Sequence, residues 1–279
     1  MAAYRRKLEW FWQRVYADFL MPSRLGEFER LLRTALANEY EILSVQSFFN
    51  LARRGQIRGK LMINRHDIDS DLKTAKRMFE IEKRLGVCAS YYFRLSTIDI
   101  PFMQKLNCYG SEASYHFEEI ATYAKRFCIK NKTDIVQNMP TIQAQFKNNV
   151  LGIRKQTNLS LSTVASHGDF VNRLLQIKNW ELLTPELRAE LGIILEVYDP
   201  EMNEYVISRY ADRQYPLLFH PLSPYDAIDR GDQVILILTH SRNWDSNSIS
   251  NLKEEYKRAW ESMRYTYRRS RSVAAKNKV

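Results

Sequence analysis

The sequence predicts an α/β protein: an irregular (β/α) barrel of about seven strands, with an N-terminal helical extension and a C-terminal helix. Apolar runs typical of strands alternate with helix-like segments from about residue 60 to about residue 245, and such alternation predicts a parallel sheet. Glycine (9) and proline (8) are sparse, and no Ser/Gly/Pro-rich linker interrupts the chain. We therefore expect one barrel domain over residues 51–270, after an extension over 1–50 and before a basic tail over 271–279.

The first fifty residues are predicted to be mostly helical. Aromatic and aliphatic side chains mix with charged ones over residues 8–20, and residues 27–36 form a second amphipathic segment. Residues 41–45 are predicted to form a short strand, and a helix ending near Gly55 follows.

The elements of the barrel follow from short, largely apolar runs and from amphipathic runs that begin at capping residues. The predicted strands are 60–66, 88–94, 113–116, 162–167, 193–197, 205–209, 216–219 and 233–239. The predicted helices are 72–85, 101–106, 118–127, 134–149 with an interruption at Pro140, 170–177, 185–191, and a last helix beginning near Asp245.

The run Arg65-His66-Asp67-Ile68-Asp69 brings a cation, an imidazole and two carboxylates to the end of the first predicted barrel strand. Helix-start residues follow at Ser70 and Asp71, so we expect this cluster in a strand-to-helix loop. Ligands and catalytic groups collect at the carboxyl ends of such strands. The cluster is therefore a candidate site.

The chain contains five histidines, and each closes a segment that resembles a strand: His66, His116, His167, His220 and His240. Histidines on surface helices would not gather at strand ends. A metal site or a general acid/base site at one face of a barrel produces this arrangement. A hydrogen-bonded structural histidine is the alternative for any single one of them.

The net charge of +10 indicates an anionic partner or a local cause. Much of it is local, because cations dominate residues 253–278, where a terminal helix is expected to run into the basic tail. A solvated helix face, contact with an anionic membrane surface, and nucleic-acid binding remain open. No recognition motif supports nucleic acid. The interleaved aromatics Tyr256, Trp260, Tyr265 and Tyr267 are expected to pack on the domain.

No signal-peptide core and no bilayer-spanning apolar run are found in the sequence, so a cytoplasmic location is expected. The three cysteines, Cys88, Cys108 and Cys128, lack metal-type spacing and are expected to be reduced thiols.

The chain resembles the polysaccharide deacetylase superfamily of carbohydrate esterases, which fold as an irregular (β/α) barrel. It is most similar to an uncharacterised branch found with bacterial surface-polysaccharide genes. The resemblance runs from about residue 41 to residue 260. It is carried by the segments 65–69, Glu80-Ile81-Glu82 with Gly86-Val87, Tyr91-Tyr92-Phe93-Arg94, Tyr115-His116-Phe117-Glu118, Ser166-His167-Gly168 and 238–244.

This resemblance implies a metal-dependent hydrolase that removes an acyl group, most simply N-acetyl, from a sugar or glycan precursor. Asp67 would be the general base, His240 the general acid, and Asp69 and His116 ligands of a divalent metal, with zinc the first choice. Either His167 or another group would supply the third ligand, unless the site has lost its metal. A divalent ion polarises a carbonyl and lowers the pKa of bound water, which makes this chemistry coherent.

Two departures from the family pattern leave alternatives open. Ile120 stands where the superfamily has its second metal-binding histidine, so a catalytically inactive barrel that binds a glycan intermediate or a partner protein is the rival function. Ile68 separates two aspartates that are usually adjacent, so Asp67 and Asp69 can exchange roles.

Substrate contacts are predicted for four further residues at or near strand ends. They are Arg65, His66, His220 and Trp244.

Overall fold

The computed structural model describes residues 2–219, 222–247, 251–253, 256–257 and 259–267. Within these residues the chain forms eight strands, which are β1 (Tyr40–Leu43), β2 (Lys60–Ile68), β3 (Ser90–Phe93), β4 (Glu112–Phe117), β5 (Thr163–Ser166), β6 (Leu195–Glu196), β7 (Ser208–Ala211) and β8 (Val234–Thr239).

The helices surround these strands. In the described residues they are α1 (Ala2–Phe19), α2 (Leu25–Ala37), α3 (Val45–Arg53), α4 (Leu72–Leu85), α5 (Ile100–Tyr109), α6 (Glu119–Phe127), α7 (Lys132–Gln137), α8 (Met139–Thr157), α9 (Phe170–Leu175), α10 (Pro185–Leu191), α11 (Pro200–Tyr205) and α12 (Pro224–Arg230).

The strands form one parallel sheet in the order β6-β5-β4-β3-β2-β8-β7. β1 pairs with the first half of β2, on residues Lys60 to Ile63, and β3 pairs with its second half. No ladder joins β6 to β7 within the described part of the chain, so the curled sheet stays open between these two strands. The predicted irregular barrel is confirmed.

Alternation along β2 separates its side chains into two sets. Leu61 and Ile63 belong to an inner apolar cluster with α3, whereas Met62 and Ile68 pack in the clusters beneath the outer helices. β2 runs to residue 68, so most of the charged run lies inside a buried strand. The prediction of a strand-to-helix loop for this run was therefore wrong, except for Asp69.

The helix α4 has the predicted bounds because both of its ends are specified locally. The Asp71 side chain accepts a hydrogen bond from Thr74 N at 3.1 Å, which satisfies a free N–H of the first turn. At the other end Gly86 adopts a left-handed conformation with φ of 72°, which costs glycine little.

Two predictions for residues 200–230 were wrong. The strand expected over 205–209 is the end of α11 followed by β7, and residues 216–219 form no strand. In that loop Arg213 N donates to Leu218 O, and Pro216 has no N–H for a ladder. The missed helices α11 and α12 each begin with proline, a start signal present in the sequence.

The C-terminal segment, defined here as residues 251–253, 256–257 and 259–267, is helical. Tyr265 is buried, and its hydroxyl donates to Ile129 O. Tyr256, Trp260 and Tyr267 are exposed, so the prediction that they pack on the domain was wrong.

The basic tail over 271–279 lies outside the described residues. Among the described residues, none of the helices is long and apolar enough to cross a bilayer.

Candidate metal centre and catalytic cleft

Three side chains from the carboxyl ends of β2, β4 and β5 converge. The Asp69 carboxylate lies 3.4 Å from His116 Nε2 and 3.5 Å from His167 Nε2, measured to Oδ1. One atom from each residue lies within 4.8 Å of the other two. Two imidazoles and one carboxylate are a ligand set that zinc and related divalent ions accept, and three protein ligands leave a coordination position open.

Each imidazole has its other ring nitrogen engaged by an acceptor. His116 Nδ1 donates to the carbonyl oxygen of Ala165 at 3.0 Å, and His167 Nδ1 donates to Glu118 Oε2 at 3.0 Å. Because these acceptors engage Nδ1, the Nε2 atom of each ring is the one left beside Asp69 to bind a cation. The side chains present therefore fit a metal ion.

Glu118 is itself held by a cation. Arg94 donates to both of its carboxylate oxygens, at 2.8 and 3.0 Å. Burial alone would raise the pKa of Glu118, but His167 and Arg94 lower it well below its usual value. A second group of potential ligands, Glu118, His167 and Asp169, is less suited to a metal because Arg94 and Lys125 already neutralise its carboxylates.

Asp67 lies beside the three potential ligands on the inner face of β2. Its Oδ2 is 3.6 Å from His116 Nε2. Arg65 Nε and Nη2 donate to its two oxygens at 2.9 and 2.7 Å, and both side chains are almost completely buried. Burial opposes ionisation, but Arg65 and then His116 hold the pKa of Asp67 below its usual value. Asp67 is thus a carboxylate at neutral pH.

His240 follows β8 and is anchored by a buried carboxylate. Its Nδ1 donates to Asp212 Oδ1 at 2.7 Å, and its backbone N–H donates to Asp212 Oδ2 at 2.8 Å. Trp244 Nε1 also donates to that Oδ2, at 2.8 Å. Burial alone would lower the pKa of His240, but Asp212 raises it to about 9. The ring is therefore an imidazolium at neutral pH.

Asp67, Asp69 and His240 line one cleft of about 490 Å³, whereas His116 is buried and His167 lines a neighbouring pocket that Asp69 also lines. Gln13 of α1 and Arg213 of the loop after β7 form part of its wall. A larger cavity of about 710 Å³ lies outside the barrel between α2, α4 and α5 and contains none of these groups. The chemistry of the cleft, rather than cavity size, identifies the candidate site.

Three of the residues predicted to contact substrate are buried instead. Arg65 lies behind Asp67 and is 2% exposed. His66 has no exposed surface, faces the outer layer, and bonds Thr239 at 2.5 Å and Glu82 at 2.6 Å. Trp244 is equally buried and holds Asp212. The structure brings none of the three to the surface of the cleft, and His220 lies outside the described residues.

Ile120 is buried in the outer core on α6. The position four residues after His116 therefore lies on a helix that packs away from the cleft, and His167 from the neighbouring strand β5 stands beside Asp69 instead. Sequence reasoning missed the supporting role of Glu118. Its only signal was its place two residues after His116, at the start of α6.

Comparison with known proteins gives little further information. No protein-family model matches the chain, and no curated protein matches it. Among solved structures it is similar to the Xyl-CE4 domain of a multidomain xylanase from the hindgut metagenome of Trinervitermes trinervoides, with 11% identity over 72% of this chain and 84% of that chain. The TM-score is 0.35.

Proposed function

We propose that the protein is a metal-dependent hydrolase that removes an acyl group, N-acetyl in the first instance, from a sugar or glycan precursor. One arrangement carries this proposal: three potential metal ligands lie together, and one of them, Asp69, lines a cleft with a carboxylate held ionised and an imidazole held protonated. Acyl transfer to water needs a base and an acid of opposite protonation state around an activated carbonyl.

Asp69, His116 and His167 would hold the ion, with zinc the first choice. When bound there, a divalent ion polarises an acyl carbonyl and lowers the pKa of a coordinated water. Asp69 suits the ligand role because its Oδ1 stands between the two Nε2 atoms.

Asp67 is assigned the general base. Both of its oxygens accept hydrogen bonds from Arg65, which fixes the plane of the carboxylate, and Oδ2 lies next to the ligand His116. A carboxylate at that place takes a proton from the attacking water. Arg65 acts through Asp67 as a positioning residue, since the guanidinium itself is buried.

His240 is assigned the general acid. Asp212 engages Nδ1, which leaves Nε2 to give its proton to the departing nitrogen or oxygen of the sugar. The side chain is 31% exposed, and it lines the same cleft as Asp67. Base and acid therefore act from different strands, β2 and β8, on one bound acyl group.

Metal content and acetate release from N-acetylated sugars test the proposal together. Wild-type protein should hold one equivalent of a divalent ion, and Asp69→Ala, His116→Ala and His167→Ala should lose it. Glu118→Gln keeps all three ligands and should weaken metal binding by about tenfold, because the partner of a ligating histidine sets its orientation.

The control for this experiment is Asp229→Ala, an exposed carboxylate on α12 far from the cleft. It should leave metal content unchanged. A metal-free wild type after zinc addition, or full occupancy in His116→Ala, would refute the proposed centre. The rival function, a non-catalytic binding barrel, has Ile120 as its best argument, and the position of His167 beside Asp69 supports the hydrolase over it.

The C-terminal segment is proposed to touch an anionic membrane surface on its cytoplasmic side. Five of its apolar or aromatic side chains are 54–72% exposed, namely Leu252, Tyr256, Trp260, Met263 and Tyr267. Within residues 259–267, at 3.6 residues per turn, Trp260, Met263 and Tyr267 form a stripe that falls within an arc of about 60°. The cation Arg264 lies beside this stripe, Lys253 and Lys257 are also exposed, and the combination is typical of helices that lie in a bilayer interface.

A further inference from the structure

The open seam of the barrel, between β6 and β7, contains a second pocket of about 340 Å³. Three arginines line it: Arg65 from β2, Arg209 from β7 and Arg213 from the following loop. Tyr198, just after β6, forms the opposite wall, and its ring lies 4.8 Å from the Arg65 guanidinium carbon. No acidic side chain is among the described residues that line this pocket.

Strand register explains why Arg209 faces the seam. Tyr210 packs in the outer cluster beneath α2 and α12, so its neighbour Arg209 points to the opposite side of β7. Arg209 lies beside Leu236 of β8, and Leu236 belongs to the inner cluster.

The charges in the pocket are not balanced. Asp67 neutralises Arg65 from behind, but neither Arg209 nor Arg213 forms an ion pair with any residue that the structure describes. Burial and then repulsion from Arg65 lower the pKa of Arg209. Both side chains are exposed, so solvent screens their charge, but two guanidiniums without an acidic partner beside a third attract an anion.

The pocket adjoins the candidate cleft. Arg213 lines both of them, and Arg65, which lines the pocket, pairs with Asp67, which lines the cleft. A ligand that binds Arg213 from the seam therefore lies next to the cleft. Guanidinium pairs bind phosphate oxygens with two parallel hydrogen bonds.

We propose that the seam pocket binds a phosphoryl group of the substrate, so that the acyl sugar carries a phosphate or diphosphate ester. This inference rests on the proposed hydrolase for the identity of the sugar, but the anion site does not depend on catalysis. The excess of two positive charges matches one phosphate dianion.

Direct binding is the first test, with glucose 1-phosphate as the probe because it has no acyl group to lose. Calorimetry on the purified protein should detect it and should detect no binding of glucose. Arg209→Gln should weaken binding at least about tenfold, the effect of one lost charge-assisted contact. Arg58→Gln is the matched control, an exposed arginine before β2 at the other end of the barrel. Equal affinities in wild type and Arg209→Gln, or no binding by wild type, would overturn the inference.

Turnover is the second test. Wild type should prefer N-acetylglucosamine 1-phosphate to N-acetylglucosamine, and Arg209→Gln should reduce this ratio of kcat/KM values at least about tenfold. If wild type binds glucose 1-phosphate through Arg209 but releases acetate from neither sugar, the hydrolase proposal fails and the anion site stands. If both sugars are hydrolysed equally and the probe does not bind, the anion site fails and the hydrolase stands.

A lipid headgroup is the other source of a phosphoryl group. Vesicles containing phosphatidylglycerol distinguish it. If Arg209→Gln weakens vesicle binding and leaves the ratio of kcat/KM values unchanged, the assignment to the substrate is overturned.

Discussion

His240 and Asp212 are 28 residues apart in the chain, yet their side chains meet at 2.7 Å. His167 and Glu118 are also distant in the chain, and their side chains meet at 3.0 Å. His116 likewise meets the carbonyl oxygen of the distant Ala165 at 3.0 Å. Each histidine of the candidate centre thus has Nδ1 engaged, and the Nε2 atoms of His116 and His167 lie beside Asp69. At the residue scale, these partners set which nitrogen remains available for the proposed role of each histidine.

Replacing Asp212 tests this assignment through the pH profile. With its pKa near 9, His240 stays protonated up to that pH, and activity is lost as pH rises through it. In Asp212→Asn the pKa should fall toward about 6.5, so that activity at pH 8 drops about thirtyfold and the basic limb moves to lower pH. The kcat/KM profile measures both effects.

Asp229→Asn serves as the control for this profile and should retain the basic limb of the wild type. A basic limb that stays in place in Asp212→Asn would contradict the role of His240 as the acid. Circular dichroism of both variants shows whether the fold is retained.

At the scale of elements, boundaries were predictable where capping residues specify them. The helix α4 begins after Asp71 and ends at Gly86, and α10 likewise has the predicted bounds. Strand ends were less predictable, because they depend on how far the neighbouring strand continues. β2 extends to Ile68 since β3 pairs with Arg65 to Ile68, and no local signal in β2 indicates that pairing.

Gly86 offers a test of this local control. Its φ of 72° suits glycine, and no atom lies within 4 Å of an added Cβ, so strain is the only expected effect. Gly86→Ala should lower the free energy of unfolding by about 1 kcal/mol. Gly152→Ala is the matched control within α8, where the same change should raise the free energy of unfolding by about 0.5 kcal/mol. Denaturant titration compares them, and equal effects would contradict the strain argument.

The exposed stripe on the C-terminal segment is the proposed membrane contact. Trp260→Ser should weaken binding to vesicles containing phosphatidylglycerol by about tenfold, since the indole would no longer enter the interface. Val136→Ser, an equally exposed apolar position on α7, is the control and should leave binding unchanged. Flotation of vesicles with the protein measures this binding. If Trp260→Ser binds vesicles as well as wild type does, the stripe is not the membrane contact.

At the scale of the molecule, α1 and the segment that follows β8 meet beside the cleft. Arg242, two residues after His240, donates to both carboxylate oxygens of Asp18 in α1, at 2.9 and 3.0 Å, and both side chains are buried. This contact spans 224 residues of sequence. It fixes α1 as a wall of the cleft, where Gln13 projects.

Removing Asp18 should be costly because its buried carboxylate faces two cations, Arg242 and also Arg14 at 3.7 Å. Asp18→Asn should lower the free energy of unfolding by about 3 kcal/mol, and Asp18→Asn with Arg242→Gln by less than the sum of the single changes. The exposed pair of Lys147 and Glu190 provides the contrast, and Lys147→Gln should cost under about 1 kcal/mol. Additive effects of the two buried changes in denaturant titration would contradict the coupling.

The sequence by itself determined the alternation of strands and helices, and with it the parallel barrel, because periodicity and capping act over a few residues. It also placed Asp69, His116, His167 and His240 at or near strand ends, where a barrel brings side chains together. Only the tertiary structure decided that His66 and Trp244 are buried. A one-residue step along a strand reverses the face of a side chain, and only long-range pairing shows which face meets the cleft.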